Sequence, residues 1–332
     1  MSLALGRNGS RRALRAVALL ITSLLVWYAG SSHAQQYPSK TVRIVVPTAP
    51  GGGTDFVGRV LAQNFAEVFG QQFIVENRGG AGTTIGTAAV AKSSPDGYTL
   101  LLNHNSLAFN ASYYRRLPYD TLKDLAPITL VATQPFLMVV HPSLPARSVD
   151  VLLSLARKSP GQIAYGSGGA GSGPYMSMEL LKHAAGIDVL HVPYKGAGPA
   201  FVDLVAGQVQ MMIATMSLAL PHAKTGRVRP LAITSIKRHP DMPQLPTVAE
   251  TIPNYRFEVW YGLFAPAGTP TSIIQRLNAA GIKVLESQDT RQKLGAQGLE
   301  TTTSTPQDFV VHLKSEVETW AKVVKAIGQY AD

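Results

Sequence analysis

The chain has 332 residues, of which 45% are hydrophobic and 15% are charged, and its formal net charge is +10. This length allows about two domains, and this composition supplies enough apolar side chains for a large core, which excludes a globally disordered chain. The sequence contains no cysteine, so disulfide scaffolds, thiolate metal sites and cysteine nucleophiles are excluded as well.

The first 34 residues have the pattern of a secretory signal peptide. Four arginines within residues 1–15 precede an apolar run at 16–30, and Ser32-His33-Ala34 is a small-x-small cleavage pattern. The apolar run, of about 15 residues, is shorter than the roughly 20 that a membrane-spanning helix needs. We therefore predict a signal peptide at 1–34 that is cleaved after Ala34, with Sec and twin-arginine export both open.

Cleavage there removes four basic and no acidic residues, so the net charge of +10 becomes +6. The densest basic sites that remain are the pairs Arg115-Arg116 and Lys237-Arg238. Two such pairs do not make the basic stripe of a nucleic-acid-binding protein. We expect a soluble mature protein that lies outside the cytoplasm and binds no nucleic acid.

Strands and helices alternate along the mature chain, as judged from β-rich runs and from apolar residues at helical spacing. We predict strands at 42–46, 73–75, 98–102, 136–140, 162–165, 189–193, 209–213, 231–234 and 257–264. We predict helices at 56–69, 85–91, 149–157, 174–185, 200–205, 271–286 and 306–327. This alternation indicates βαβ units and therefore an α/β fold with a mainly parallel sheet.

The last of these helices has clear local signals. Thr305 is placed to cap its start, Pro306 suits the first helical position, and Asp308 adds a negative charge to the first turn. Trp320 lies on the apolar face of this helix, so we predict that its ring belongs to the core.

A first glycine loop (47–55, PTAPGGGTD) follows the first strand. Its three glycines allow a sharp turn with exposed backbone N–H groups, and Thr54 or Asp55 can cap the helix that follows. Exposed N–H groups at the positive end of a helix form an anion site. The loop lacks the Gly-Lys-Ser/Thr ending of a P-loop, and an ordinary glycine turn is the alternative.

A second glycine loop (166–174, GSGGAGSGP) matches the spacing of a dinucleotide fingerprint through Gly166, Gly168 and Gly171. A secreted protein rarely meets NAD, and the motif lies in mid-chain, so we predict no cofactor here. The loop is better explained as an anion cradle, in which Ser167 and Ser172 donate hydrogen bonds and Ser172 also caps the next helix.

Each half of the chain thus contains one glycine loop at the carboxyl end of a strand, where α/β sheets bind ligands, and this arrangement suggests two lobes with a cleft between them. Catalytic patterns are missing from the sequence: it contains no G-x-S-x-G and no H-E-x-x-H, and its eight histidines show no metal-ligand spacing. We therefore predict neither a catalytic residue nor a metal site.

Eight short motifs occur in a fixed order along the mature chain: YPSK at 37–40, PGGGTD at 50–55, VENR at 75–78, PDGYTLL at 95–101, HPSLP at 141–145, HVPYKG at 191–196, AGQV at 206–209 and APAGTP at 265–270. As a set they closely resemble the Bug-type solute-binding receptors of tripartite tricarboxylate transporters. The resemblance covers nearly the whole mature chain.

This resemblance implies a two-lobed periplasmic-binding-protein fold of the second type, with the ligand cleft between the lobes. We expect lobe 1 to contain 35–136 and 255–332, and lobe 2 to contain 137–254. The resemblance further implies a monomer in the periplasm that binds a small organic carboxylate and passes it to a membrane permease of one large and one small subunit.

The resemblance also implies a set of ligand-binding residues. A ligand carboxylate would lie between the two glycine loops and the end of the third strand, near Ala49, Gly53, Thr54, Asp55, Asn105, Ser106, Ser167, Gly168 and Ser172. At three further positions the chain departs from the residues common in the family, and there we expect contacts to the variable end of the ligand: Thr48, Tyr175 and Thr215. The identity of the carboxylate stays open.

Two alternatives remain at this point. The receptor could feed a sensor instead of a transporter, because both functions need only a ligand-bound shape. A secreted enzyme acting on a carboxylate in the same cleft is disfavoured, because the sequence shows no nucleophile–base pair.

Overall fold

A computed structural model describes residues 37–239, 242–328, 330 and 331 of the chain. The predicted signal peptide at 1–34 lies outside these residues. Lys40–Asp332 form one compact unit. Among the described helices of this unit, none is both long enough and apolar enough to cross a membrane.

The strands of this unit, in chain order, are β1 (Val42–Val46), β2 (Phe73–Asn77), β3 (Thr99–His104), β4 (Leu125–Val140), β5 (Ala164–Ser167), β6 (Leu190–Pro193), β7 (Met211–Thr215), β8 (Arg229–Ile233), β9 (Glu258–Pro266) and β10 (Glu300–Thr301). They join into one sheet in the order β2-β1-β3-β9-β4-β7-β5-β6, and β8 and β10 pair with β4 beside this path.

Two groups of parallel strands lie at the two sides of the sheet. Parallel pairing joins β1 to β2 and β3, and it joins β5 to β6 and β7. Between these groups, β9 and β4 pair antiparallel with each other and with their neighbours β3 and β7. The prediction of a mainly parallel sheet is therefore wrong. Hydrophobic periodicity reports which face of a strand is buried, but it carries no information on strand direction.

The long strand β4 connects the two groups. Up to residue 135 it pairs with β9, and from Phe136 onward it pairs with β7. Thr234 fixes this point, because its hydroxyl accepts a hydrogen bond from the Phe136 N–H at 2.7 Å. The crossing lies beside the lobe boundary that we predict after residue 136; the division of the chain into two lobes stays a prediction.

The helices that pack on the sheet are α1 (Gly53–Phe69), α2 (Thr84–Ala91), α3 (Ser106–Tyr113), α4 (Val149–Lys158), α5 (Gly173–Ala185), α6 (Ala197–Val205), α7 (Met216–Lys224), α8 (Thr271–Glu286), α9 (Gln288–Gly295) and α10 (Pro306–Ile327). The predicted start of α10 is confirmed, because the Thr305 hydroxyl accepts a hydrogen bond from the Asp308 N–H at 3.1 Å. The core position of Trp320 is confirmed too: its ring packs edge-on against Phe109 and Phe257, with centroids 5.2 and 5.4 Å apart.

Several helices and strand segments could not be predicted from the sequence patterns. Helix α3 begins almost directly after β3, without the break that usually marks a new element, and α7 contains Pro221, which argues against a helix interior. The first part of β4 contains two prolines and two shifts of register against β9. Such irregularities interrupt the alternation by which a strand is recognised.

Candidate ligand-binding site

A narrow cleft lies at the carboxyl ends of β1, β3, β5 and β7. The cavity within it has a volume of about 40 Å³. Its lining residues are Pro47, Thr48, Gly52, Gly53, Thr54, Gly80, Thr83, His104, Phe136, Gly168, Ser172, Pro174, Lys195, Gly196, Ala197, Thr215, Val259 and Tyr261. Both glycine loops contribute to it, as their positions in the sequence predict.

The lining contains half of the residues singled out from the sequence. Thr48, Gly53, Thr54, Gly168, Ser172 and Thr215 line the cleft. The others lie outside its lining: Ala49, Asp55, Asn105, Ser106, Ser167 and Tyr175. The role of each of them in ligand binding stays a prediction.

Helix N-termini converge on this cleft. The residues that precede the first turns of α1, α5, α6 and α7 are Gly52, Ser172, Gly196 and Thr215, and all of them line it. The first turn of a helix carries backbone N–H groups without intrahelical partners and the positive end of the helix dipole. Convergence of several such ends creates a positive potential that suits a bound anion.

The charges of the lining have the same sign. Lys195 lines the cleft, and the part of the lining that the structure describes contains no aspartate or glutamate. Burial lowers the pKa of His104 to about 4, although a hydrogen bond to Asn105 opposes this shift. The imidazole is therefore neutral at physiological pH, and the cleft offers an anion positive helix ends without a competing carboxylate.

The expected capping of α1 by Thr54 or Asp55 is wrong. The helix begins at Gly53, so its cap is Gly52, which has no side chain, and Asp55 falls in the first helical turn. The Asp55 carboxylate instead accepts hydrogen bonds from the Gly51 N–H at 3.0 Å, from Asn77 Nδ2 at 3.0 Å and from Arg59 Nε at 3.1 Å. It therefore holds the first glycine loop in place from outside the cleft.

We expect Asp55→Asn to destabilise the protein by about 1–2 kcal/mol at neutral pH, since it replaces one acceptor oxygen by an amide group and removes the charge facing Arg59. Burial by itself would raise the pKa of Asp55, but the hydrogen bonds from Arg59, Gly51 and Asn77 outweigh it and lower the pKa below its ordinary value of 3.8. Its stabilising effect is thus complete above pH 3.8 and is lost as the pH falls through the lower folded-state pKa.

Urea unfolding of both proteins at several pH values checks this expectation. The difference in unfolding free energy should be constant between pH 7 and pH 5 and should shrink below the ordinary pKa of the carboxyl group. A difference that already shrinks between pH 7 and pH 5 would contradict a lowered pKa.

In the second glycine loop, the predicted cap of α5 is confirmed, because the Ser172 hydroxyl accepts a hydrogen bond from the Tyr175 N–H at 3.4 Å. Ser167 makes different contacts. Its hydroxyl lies 2.6 Å from Nε2 of His191 and accepts a hydrogen bond from the Gly169 N–H at 3.0 Å. Ser172 thus lies in the lining of the cleft, whereas Ser167 lies outside the lining and stabilises the loop through these two contacts.

Three further predicted residues, Asn105, Ser106 and Tyr175, form hydrogen bonds that support the walls of the cleft. Asn105 is buried and donates through Nδ2 to the backbone carbonyl of Glu258 at 3.0 Å. The Ser106 hydroxyl lies 2.9 Å from that of Thr83, which lines the cleft. The Tyr175 hydroxyl accepts a hydrogen bond from the Tyr113 hydroxyl at 3.1 Å. This last contact ties α5 to α3.

Glycine backbones let the two walls approach each other closely. A Cβ atom added at Gly198 would lie 2.9 Å from the Pro50 carbonyl oxygen, and one added at Gly196 would lie 2.8 Å from the Cβ atom of Ala49. A Cβ atom at Gly82 would overlap the Ala170 carbonyl oxygen. In each pair one residue belongs to predicted lobe 1 and the other to predicted lobe 2, so backbone segments from the two sides of the cleft lie in close contact.

Apart from Thr215 on β7, sequence reasoning missed the part of the lining that comes from strands. His104, Phe136, Val259 and Tyr261 lie on β3, β4 and β9, whose runs of apolar residues indicate only core. The one signal that could have found them is a histidine and a tyrosine within otherwise apolar strands, since buried polar groups usually need a partner.

The tripartite tricarboxylate transporter family receptor model matches residues 57–329. Among solved structures, the chain is 38% identical to Rpa4515 of R. palustris with adipate (TM-score 0.85, covering 88% of this chain and 98% of that one). It is 33% identical to MatC of Rhodopseudomonas palustris with bound malate (TM-score 0.84, 87% and 100%) and 32% identical to the periplasmic binding protein BugD (TM-score 0.87, 89% and 100%). This protein belongs to the receptor family of the tripartite tricarboxylate transporters and has the α/β fold of periplasmic binding proteins.

Proposed function

We propose that this protein captures a small organic carboxylate in the cleft and delivers it to a membrane transporter. The observation that carries the proposal is the convergence of helix N-termini on a cleft whose described lining includes Lys195 and lacks acidic side chains. Rpa4515 and MatC support it, since adipate and malate are both carboxylates.

The same lining favours carboxylates that carry no amino group. An ammonium group brought into a narrow, partly buried cleft needs a negative partner. His104 is neutral there, and the described lining supplies no carboxylate. A hydroxyl or keto substituent, in contrast, finds hydrogen-bond partners among the threonine and serine hydroxyls.

The family supports a proposal for the place and the partners of the protein. We propose a periplasmic location after cleavage behind Ala34, a receptor without catalytic activity, and delivery to a permease of one large and one small subunit. Two lobes, 35–136 with 255–332 and 137–254, would close around the ligand, which stabilises the closed state only through contacts to both of them.

A thermal-shift screen of organic acids on the mature protein tests the function. Malate and aspartate form the sharpest pair, because aspartate carries an ammonium group where malate carries a hydroxyl; adipate and succinate complete the panel. A carboxylate that binds should add about 2.7 kcal/mol of stability at 100 times its dissociation constant.

Aspartate should leave the melting temperature unchanged under the same conditions. Equal stabilisation by malate and aspartate would contradict the proposed selectivity. The absence of any shift across the panel, checked by calorimetry, would overturn the proposed function itself.

A further inference from the structure

Tyr261 places a hydroxyl group without a protein partner in the wall of the cleft. The residue lies on β9, is only 1% exposed and lines the cleft. Its hydroxyl finds no hydrogen-bond partner among the residues that the structure describes. Buried hydroxyl groups nearly always have a partner, and an unmade hydrogen bond lowers stability. The unpaired Tyr261 hydroxyl therefore does not stabilise the fold, and this points to a role in binding.

The absence of a side chain at Gly53 leaves room for the Tyr261 hydroxyl. A Cβ atom added at Gly53 would lie 2.6 Å from Oη of Tyr261 and 2.9 Å from Oγ of Ser217. Gly53 is the first residue of α1, so the phenol oxygen lies directly at the N-terminal end of that helix. Burial raises the pKa of Tyr261, and the hydroxyl keeps its proton at physiological pH. A neutral O–H donor therefore lies beside N–H groups that have no partner within the helix.

Two neighbouring hydroxyls of the lining, those of Thr83 and Thr215, each have a hydrogen-bond partner within the protein. The Thr83 hydroxyl lies 2.9 Å from that of Ser106, and Thr215 Oγ1 accepts a hydrogen bond from the Ser217 hydroxyl at 3.2 Å. Thr48 Oγ1 is buried and also without a partner in the described part of the chain, but its residue is half-buried and lies on a loop. Tyr261 is the more rigidly held donor, because its strand lies inside the sheet.

We propose that Tyr261 is a ligand-binding residue, whose hydroxyl donates a hydrogen bond to a carboxylate oxygen held at the N-terminal end of α1. This inference rests on the proposed function, and it adds a binding residue from β9 to a site whose predicted ligand contacts come mostly from loops and helix ends. It also gives a reason for glycine at position 53, since any side chain there would displace the phenol.

Replacing Tyr261 by phenylalanine tests the inference. The variant removes one oxygen atom and breaks no hydrogen bond within the described protein, so the ligand-free protein should melt at the wild-type temperature or slightly above it. Its affinity for malate and adipate, measured by calorimetry, should fall roughly ten- to a hundredfold, because a hydrogen bond to a charged group is lost.

Tyr255→Phe is the matched control. Tyr255 is equally buried, but its hydroxyl donates to the Ser177 carbonyl oxygen at 2.8 Å and it does not line the cleft. This variant should melt at a lower temperature and bind malate and adipate as the wild type does. The two variants should thus show opposite patterns of stability and affinity.

A double-mutant cycle with Gly53→Ala adds a second test. If the alanine acts by displacing the phenol, it should weaken binding in the wild-type background and weaken it less in the Tyr261→Phe background. Wild-type affinity in Tyr261→Phe would overturn the inference and leave the proposed function intact. Binding lost only together with a melting temperature as low as that of Tyr255→Phe would also overturn it, and a wild-type protein that binds no carboxylate of the panel would overturn both.

Discussion

Replacing Gly198 by alanine should weaken the binding of adipate and malate about tenfold or more, without destabilising the ligand-free protein. Gly198 lies in α6, where alanine is favoured over glycine by roughly 0.5–1 kcal/mol. The added Cβ atom, however, would lie 2.9 Å from the Pro50 carbonyl oxygen of the first glycine loop. Overpacking of this kind costs about 1–3 kcal/mol. On the proposed closure of the two lobes, opening of the cleft would relieve it, and the penalty would fall on the closed, ligand-bound state.

Gly295→Ala is the matched control for this prediction. Gly295 also lies in a helix, α9, but a Cβ atom added there meets no atom within 4 Å. The Gly295→Ala substitution should leave the affinity for adipate and malate unchanged and raise the melting temperature slightly. Calorimetry and thermal melting of both variants separate the two effects, and wild-type affinity in Gly198→Ala would show that the two walls do not approach this closely around a bound ligand.

The sequence predicts the parts of this site that depend on local chemistry. Glycine loops after β1 and β5 are visible as composition, and their position at the carboxyl ends of strands follows from the alternation of elements. Gly53, Gly168 and Ser172 can therefore be placed at the cleft from the sequence alone. Their geometry needs only the strand, the turn and the helix that follow each other along the chain.

The parts that depend on distant segments could not be predicted in the same way. Tyr261 reaches the cleft because β9, late in the chain, inserts antiparallel between β3 and β4. Neither this insertion nor the direction of the strand leaves a trace in hydrophobic periodicity. Asp55 is a smaller error of prediction. Helix α1 begins earlier than predicted, so the expected cap lies within the first turn, where it binds Arg59 and Asn77.

Replacing Glu179 by alanine should cause the largest loss of stability, about 3–5 kcal/mol of unfolding free energy. Glu179 lies on α5 and is 3% exposed; its Oε1 atom accepts hydrogen bonds from the Tyr165 hydroxyl at 2.7 Å and from Lys182 Nζ at 3.1 Å. Alanine leaves the Tyr165 hydroxyl unpaired and the Lys182 charge, on a side chain only 19% exposed, without its partner. Such a loss is a large share of the roughly 5–15 kcal/mol that stabilises a typical domain.

Glu179→Gln separates the charge from the hydrogen bonds. Glutamine keeps an acceptor for Tyr165 but offers Lys182 no negative charge, so we expect an intermediate loss of about 1–3 kcal/mol. Asp289→Ala is the exposed control, because its ion pair with Lys293 lies on the surface of α9 and should contribute about 1 kcal/mol or less. Urea unfolding of the three variants gives the ranking.

Glu179 also affects the site, because it connects β5 and α5, two elements that support the cleft. Tyr165 lies on β5, directly before the second glycine loop, and the helix that carries Glu179 begins at the cleft. Loss of the carboxylate should loosen α5 from β5, so Glu179→Ala should lower carboxylate affinity together with stability, whereas Asp289→Ala should change neither by much. A Glu179→Ala protein as stable as Asp289→Ala would mean that water reaches Lys182 and Tyr165 and that the buried pair does not hold the helix in place.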